Sequence, residues 1–272
     1  MPELPEVETI RRDLSKLIVG RKILSISTDS PKQVKPSFEV VKKKVVGASI
    51  EKIERRAKLL QFFLSNGEIL VAHLKLTGRL LVREKGTPSD SWQRLFLSLS
   101  GGKELRFADL RKFGWLKLLK DKAELEKLLA TFGPEPLDGI SLQEFQMILA
   151  STSRPIKIVI MDQEKIGGVG NIYASEALFL AKIHPAKAAN QLKKEEGKEL
   201  LEAIKKVLMA GIKYRGASDQ YYLDALGHQG RYQEHFLVYN RAGKKCLRGH
   251  EKIEKIKLGG RGTYFCPVCQ KI

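Results

Sequence analysis

Four side chains near the end of the chain carry the most specific chemistry in this sequence. Cys266 and Cys269 stand in C-x2-C spacing, which lets two thiolates reach one tetrahedral ion while backbone N–H groups support the sulfurs. Cys246 and His250 precede them in C-x3-H spacing, and the two pairs flank a 15-residue segment of hairpin length. Three cysteines and a histidine make a closed Cys3His set suited to one structural Zn2+; the plainer alternative is a redox or packing pair at 266 and 269, with Cys246 and His250 incidental. The chain has 3 cysteines in all, and an odd number argues against a disulfide framework. Between Arg241 and Arg261 stand eight Lys or Arg against Glu251 and Glu254, so a metal knuckle here reads as a nucleic-acid-binding finger.

Two other stretches could do chemistry. Gly167-Gly168-Val169-Gly170-Asn171 lies between helical patterns, where free N–H groups and the positive end of the next helix would seat a phosphate, with Asn171 as cap and side-chain donor. Equally, it could be an ordinary glycine-rich turn. The opening MPELPEVETI holds two prolines and three glutamates. Pro5 suits a first helical turn and acidic residues favour a helix N-terminus, but neither explains proline at position 2 followed at once by Glu3.

The elements that must position these groups follow from pattern. Val7, Ile10, Leu14 and Leu17 form one helical face, and Gly20 is a suitable stop. From Lys22 to Leu119 the texture changes to short β-type runs, with Asn66-Gly67 and Gly101-Gly102 supplying the positive φ angles of tight hairpins. After Gly133-Pro134-Glu135-Pro136 the patterns are helical, and past Tyr214 a polar, glycine-containing stretch reads as a mobile loop. The expected fold is therefore α+β: an N-terminal β-sandwich with one helix over 1–133, a helical part over 134–232, and a short cysteine-containing tail over 233–272. The formal charge of +18 makes nucleic acid the leading partner, with solubility as the bland alternative. No apolar run reaches the roughly 18 to 20 residues of a membrane span, and no signal-peptide layout is present, so an intracellular protein is expected.

MPELPEVETI, RRAKLL at 55–60, HLKLTGRL at 73–80, DLRKFG at 109–114, MDQEKIGGVGNIYASEALF at 161–179, IHP at 183–185 and the terminal CPVCQK together resemble formamidopyrimidine-DNA glycosylase, in order and from end to end. The resemblance implies a β-sandwich whose helix bears a terminal proline, then a helix-two-turn-helix domain and a β-hairpin zinc finger. It also implies the activity: excision of oxidised purines such as 8-oxoguanine and formamidopyrimidines from duplex DNA, and cleavage of the abasic site by β,δ-elimination, by a monomer in the bacterial cytoplasm, associated with the nucleoid.

By the same resemblance, Pro2 becomes the nucleophile once Met1 is removed, Glu3 is the acid/base carboxylate, Glu6 a second, orienting carboxylate, and Lys58 an active-site lysine at the phosphate beside the lesion. A terminal amine has a reference pKa near 8, about two units below lysine, and a secondary amine condensing at C1′ gives a cationic iminium that acidifies C2′. Leu76, Arg111 and Phe113 match the wedge that fills the gap left by the extruded nucleotide, and His73, Asn171 and Arg261 match phosphate contacts. The polar loop near Ser218 to Gly230 matches the segment that closes over the flipped base. Two departures stand out: leucine at 76 where the family usually has methionine, and His250 one residue late where it usually has a fourth cysteine. The rival readings are the sister family acting on oxidised pyrimidines and a non-catalytic damaged-DNA-binding zinc protein.

Overall fold

The computed structural model describes residues 1–272. Its contacts divide the chain into two units, Met1–Ala130 with Tyr214–Arg231, and Thr131–Lys213 with Tyr232–Ile272. The sequence partition placed residues 214–231 with the helical part; by contacts they pack in the first unit, and the tail packs with the helices.

The first unit opens with α1 (Leu4–Leu17), started by Pro5 and stopped where Gly20 takes φ +82° and donates its N–H to Ile50 O. Val7, Ile10 and Leu14 are buried, each by about 1.5 to 3 kcal/mol of apolar transfer, and Leu17 packs at the margin. After it come β1 (Ile23–Thr28), β2 (Val34–Lys35), α2 (Phe38–Val45), β3 (Ile50–Arg56), β4 (Leu59–Leu64), β5 (Ile69–His73), β6 (Gly78–Glu84), β7 (Gln93–Leu99), β8 (Lys103–Asp109), β9 (Trp115–Leu119) and α3 (Lys122–Leu129). The strands form a four-stranded sheet, β1-β7-β8-β6, and a five-stranded sheet, β2-β9-β5-β4-β3. Leu80, Leu95, Leu97 and Leu105 of the first sheet share one core with Ile53, Leu60, Phe62 and Leu70 of the second. The two-residue period of β5 sends Leu70 and Ala72 into that core, and Ile69 and Val71 to the opposite face beneath Leu125 of α3.

Both expected hairpin turns are present, with Gly67 at φ +81° and Gly101 and Gly102 at +71° and +70°. One element departs from the expected run of strands: FEVVKKKV forms α2, because Ser37 accepts the Val40 N–H as an N-cap and Val41 and Val45 fall on one buried face.

The second unit contains α4 (Leu142–Ala150), α5 (Ile156–Met161), α6 (Asn171–Leu180), α7 (Lys194–Lys213) and the hairpin of β10 (Glu254–Leu258) and β11 (Arg261–Phe265). Residues 172–179 of α6 are apolar or buried all round, the signature of a central helix. Gly211 of α7 is where Tyr173 lies, since an added Cβ would stand 2.5 Å from its ring. This is the α+β architecture expected, with a helical region and a terminal β-hairpin.

Candidate active site

The N-terminus of α1 is enclosed. Pro2 is buried, and Glu3 and Glu6 are 2% and 1% exposed. Glu6 Oε2 accepts the Glu3 N–H at 2.8 Å, one half of a reciprocal capping box, while Glu6 Oε1 accepts the Ala217 N–H at 2.8 Å. Both oxygens of one carboxylate are thus fixed by backbone donors. The second donor depends on Gly216: its φ is +85°, and an added Cβ would stand 2.8 Å from Glu6 Cγ and from the Tyr222 ring. The helix-start reading of MPELPEVETI holds, and the cap itself orients the acidic pair.

The segment 214–231 is irregular but anchored. Arg215 bridges Asp13 and the fully buried Asp224, each at 2.6 Å, and Asp224 Oδ1 accepts the Leu226 and His228 N–H groups. Val82 N–H donates to Ala225 O, and Arg83 to Leu226 O. An expectation of free mobility overlooked these partners, which lie far away in sequence.

One end of the five-stranded sheet brings together Lys58 and His73, two of the residues expected at phosphates. Lys58 is buried at the β3–β4 turn, where Ala57 takes φ +50°. The next residue, Leu59, pairs with His73, and His73 pairs with Trp115. Burial, then the charges of Lys75 and Lys58, push the His73 imidazole down to about 3. Its Nδ1 accepts the Lys75 N–H at 2.9 Å, so the neutral ring keeps its proton on Nε2, as a donor. Glu8 ties this turn to α1: it accepts from Arg11, Arg12 and Arg55 at 2.7 to 3.2 Å. Burial would raise its carboxyl, but these guanidinium groups outweigh burial and hold it at about 2.

Two loops carry the three residues expected to form a wedge. Leu76 is half-buried in the β5–β6 turn, and Phe113, 52% exposed, carries the Arg111 guanidinium 4.8 Å above its ring. A residue the sequence reading passed over joins these loops. Asp109 is fully buried and accepts from the Thr77 hydroxyl and the Arg111 N–H through Oδ1, and from the Gly114 N–H and Gln33 Nε2 through Oδ2. The signal was present in DLRKFG, but a strand-ending aspartate names no partners.

In the second unit the glycine run ends on Gly170 as N-cap, so Asn171 is the first helical residue and not the cap that pattern suggested. Its Nδ2 instead donates to Gly262 O in the β10–β11 hairpin at 3.2 Å. Gln163 holds the run through Val169 O and the Gly168 N–H. Arg261 is exposed beside the Gly259-Gly260 turn, and the fully buried Lys157 reaches the same hairpin through Thr263 Oγ1 at 2.9 Å. Glu176 accepts three N–H groups from Leu237, Val238 and Tyr239, which join α6 to the finger.

The finger gathers its four expected ligand atoms. Those of Cys246, His250, Cys266 and Cys269 all lie within 4.8 Å of one another, with Cys246 and Cys269 sulfurs 3.7 Å apart. A tetrahedral site with Zn–S bonds near 2.3 Å implies sulfurs about 3.8 Å apart, so the donor set fits zinc. His250 Nδ1 stands 2.9 Å from Cys269 Sγ, so the extra residue before it is absorbed.

Comparisons with known proteins agree along the chain. Residues 1–116 match the formamidopyrimidine-DNA glycosylase N-terminal domain, 132–222 its H2TH domain, and 243–272 the zinc finger found in FPG and IleRS. The formamidopyrimidine-DNA glycosylase of Herpetosiphon aurantiacus is 44% identical over 99% of this chain and 100% of its own. Wild-type Lactococcus lactis Fpg in complex with DNA containing N7-benzyl-Fapy-dG superposes with TM-score 0.94 at 39% identity, covering 100% of both chains. The same protein in complex with abasic-site DNA gives 0.93 at 39% identity, covering 99% of this chain and 100% of that one. No helix is long and apolar enough to cross a membrane. The chain belongs to the formamidopyrimidine-DNA glycosylase family.

Proposed function

We propose that this chain excises oxidised purines, 8-oxoguanine and formamidopyrimidines, from duplex DNA and then cleaves the abasic site as a lyase. The observation that carries this reading is the enclosed start of α1, where Pro2 adjoins a carboxylate pair whose second member is fixed at both oxygens. With Met1 removed, the neutral Pro2 amine attacks C1′ while the base departs with its bonding electrons and takes up a proton. Glu3 protonates the sugar ring oxygen, and ring opening leaves a cationic iminium at C1′. Loss of a C2′ proton expels the 3′ phosphate, loss of a C4′ proton expels the 5′ phosphate, and water releases Pro2. Glu6 orients this end of the helix, and Lys58 holds a phosphate beside the lesion.

The remaining residues serve extrusion. Leu76, Arg111 and Phe113 fill the gap in the duplex, while His73, Asn171 and Arg261 hold the bent backbone. The finger's three thiolates and His250 would hold one structural Zn2+, which would fix the hairpin that presents Arg261. The proposed location, for an enzyme of bacterial type that acts on duplex DNA, is the cytoplasm at the nucleoid. Lesion preference is tested by excision from duplexes carrying 8-oxoguanine or an oxidised pyrimidine. The expected result is faster release of the purine and no release by Pro2→Gly; preferential release of the pyrimidine would support the sister-family reading instead.

A further inference from the structure

A second basic surface lies along the same end of the five-stranded sheet, in a groove of about 580 Å³ where Phe113 is the one wall residue so far assigned to DNA. Its walls include Lys32, Lys35, Lys112, Phe113, Trp115 and Asp29. The three lysines are exposed, and Lys32 and Lys35 form no ion pair with a carboxylate; Asp29 is engaged by the Ser30 hydroxyl, by Arg94 at 3.2 Å and by the charge of Lys112. Asp29 is the one carboxylate among these walls against three lysines, and its charge is partly offset by Arg94, so the groove is left net positive. The floor is built rather than incidental: the buried Gln33 fastens it to the wedge loop by donating to Asp109 Oδ2 and Gly114 O.

Strand order sets where this groove stands. Along the sheet's end the register runs from the Lys58 turn to His73, then to Trp115, and then to β2, where Val34 lies beside Leu116. At about 4.8 Å per strand, β2 stands roughly 10 Å from His73, on the scale of a duplex groove. The loop bearing Phe113 rises from β9, between the two cationic regions. A wedge that enters a duplex has one strand on either side of it. If Lys58 and His73 face the lesion strand, the lysines beyond Phe113 face the other.

We propose that this groove seats the phosphate backbone of the undamaged strand, with Lys32 and Lys35 as its main contacts. The seat holds the partner strand while the lesion strand is bent away, and it rests on the reading of the chain as an enzyme of damaged duplexes.

The test compares the wild-type chain with Lys32→Ala/Lys35→Ala on a duplex carrying a tetrahydrofuran abasic analogue. Matched duplexes carry uncharged methylphosphonate linkages in either the undamaged or the lesion strand. Two lost phosphate contacts reduce the slope of log affinity against log salt by about 2, so the affinity lost between about 50 and 200 mM salt shrinks roughly tenfold. The expected result is this change, together with equal binding by both proteins once the undamaged strand is neutralised. An unchanged slope, additive losses, or coupling to the lesion strand instead would overturn the proposal. Both lysines are exposed, so the variant's melting curve should match the wild type, and a clearly lowered melting temperature would count against a purely binding role. The catalytic reading is scored separately by adduct formation at Pro2: an adduct with an unchanged slope rejects the groove alone, and a lysine-dependent slope without an adduct rejects the chemistry alone.

Discussion

Two buried carboxylates do different work in the first unit. Glu6 is aimed by the Glu3 and Ala217 N–H groups, and Gly216 makes the second contact possible through its positive φ. Gly216→Ala adds the left-handed penalty of about 1 to 2 kcal/mol and drives a methyl group against Glu6 Cγ. Single-turnover excision should slow at least tenfold, since a misplacement of about 1 Å at a reacting site costs up to a hundredfold. Asp109 instead satisfies donors from Thr77, Arg111, Gly114 and Gln33. Asp109→Ala strands them in a buried site and should lower the urea unfolding free energy by about 3 kcal/mol, with Thr77→Val intermediate. At this scale the sequence is uneven evidence. Pro2, Glu3 and Glu6 stand out because their types are strange together, whereas Asp109 and Gly216 act through partners 32 and 210 or so positions away, which no local pattern exposes.

Elements formed from local rules were legible, and those formed by distant partners were not. Helix α1 and the Asn66-Gly67 and Gly101-Gly102 hairpins follow from spacing and turn chemistry, while α2, rich in valine, reads as a strand until its Ser37 cap and buried face are seen. Residues 214–231 lack periodicity because their order comes from Asp13, Val82 and Arg83. The tie between α1 and β3 has a pH signature. Glu8 is depressed from 4.5 to about 2, so its contribution to stability is complete above pH 4.5 and is lost as pH falls toward 2. His73 is also depressed, from 6.5 to about 3; the folded state binds the fewer protons, so stability again declines as pH falls, here between 6.5 and 3. Denaturant melts should show Glu8→Gln flattening the acid limb below pH 4.5, and NMR should find the His73 ring still neutral at pH 5. In the finger, three sulfurs and an imidazole within bonding reach of one ion predict about one zinc per chain by metal analysis. Chelation should loosen the hairpin, read as faster amide exchange in β10 and β11, while leaving the first unit's exchange unchanged.

At the scale of the whole molecule, a charge of +18 gives a nonspecific pull toward polyanions, and the two units divide the specific work. The first holds Pro2, Glu3, Glu6 and the loops of Leu76 and Phe113; the second holds the glycine run and a finger joined to α6 through Asn171, Glu176 and Arg248. The proposed chemistry depends on one processing step, because the Pro2 nitrogen is part of a peptide bond until Met1 is removed. A tag retained on Pro2 should abolish strand cleavage without changing the melting curve. The most direct measurement is borohydride reduction of the processed chain on a duplex containing 8-oxoguanine, followed by peptide mapping of the cross-link. The account predicts one covalent adduct, carried by Pro2 and absent from Pro2→Gly; an adduct on Lys58, or none with the native terminus, would contradict it.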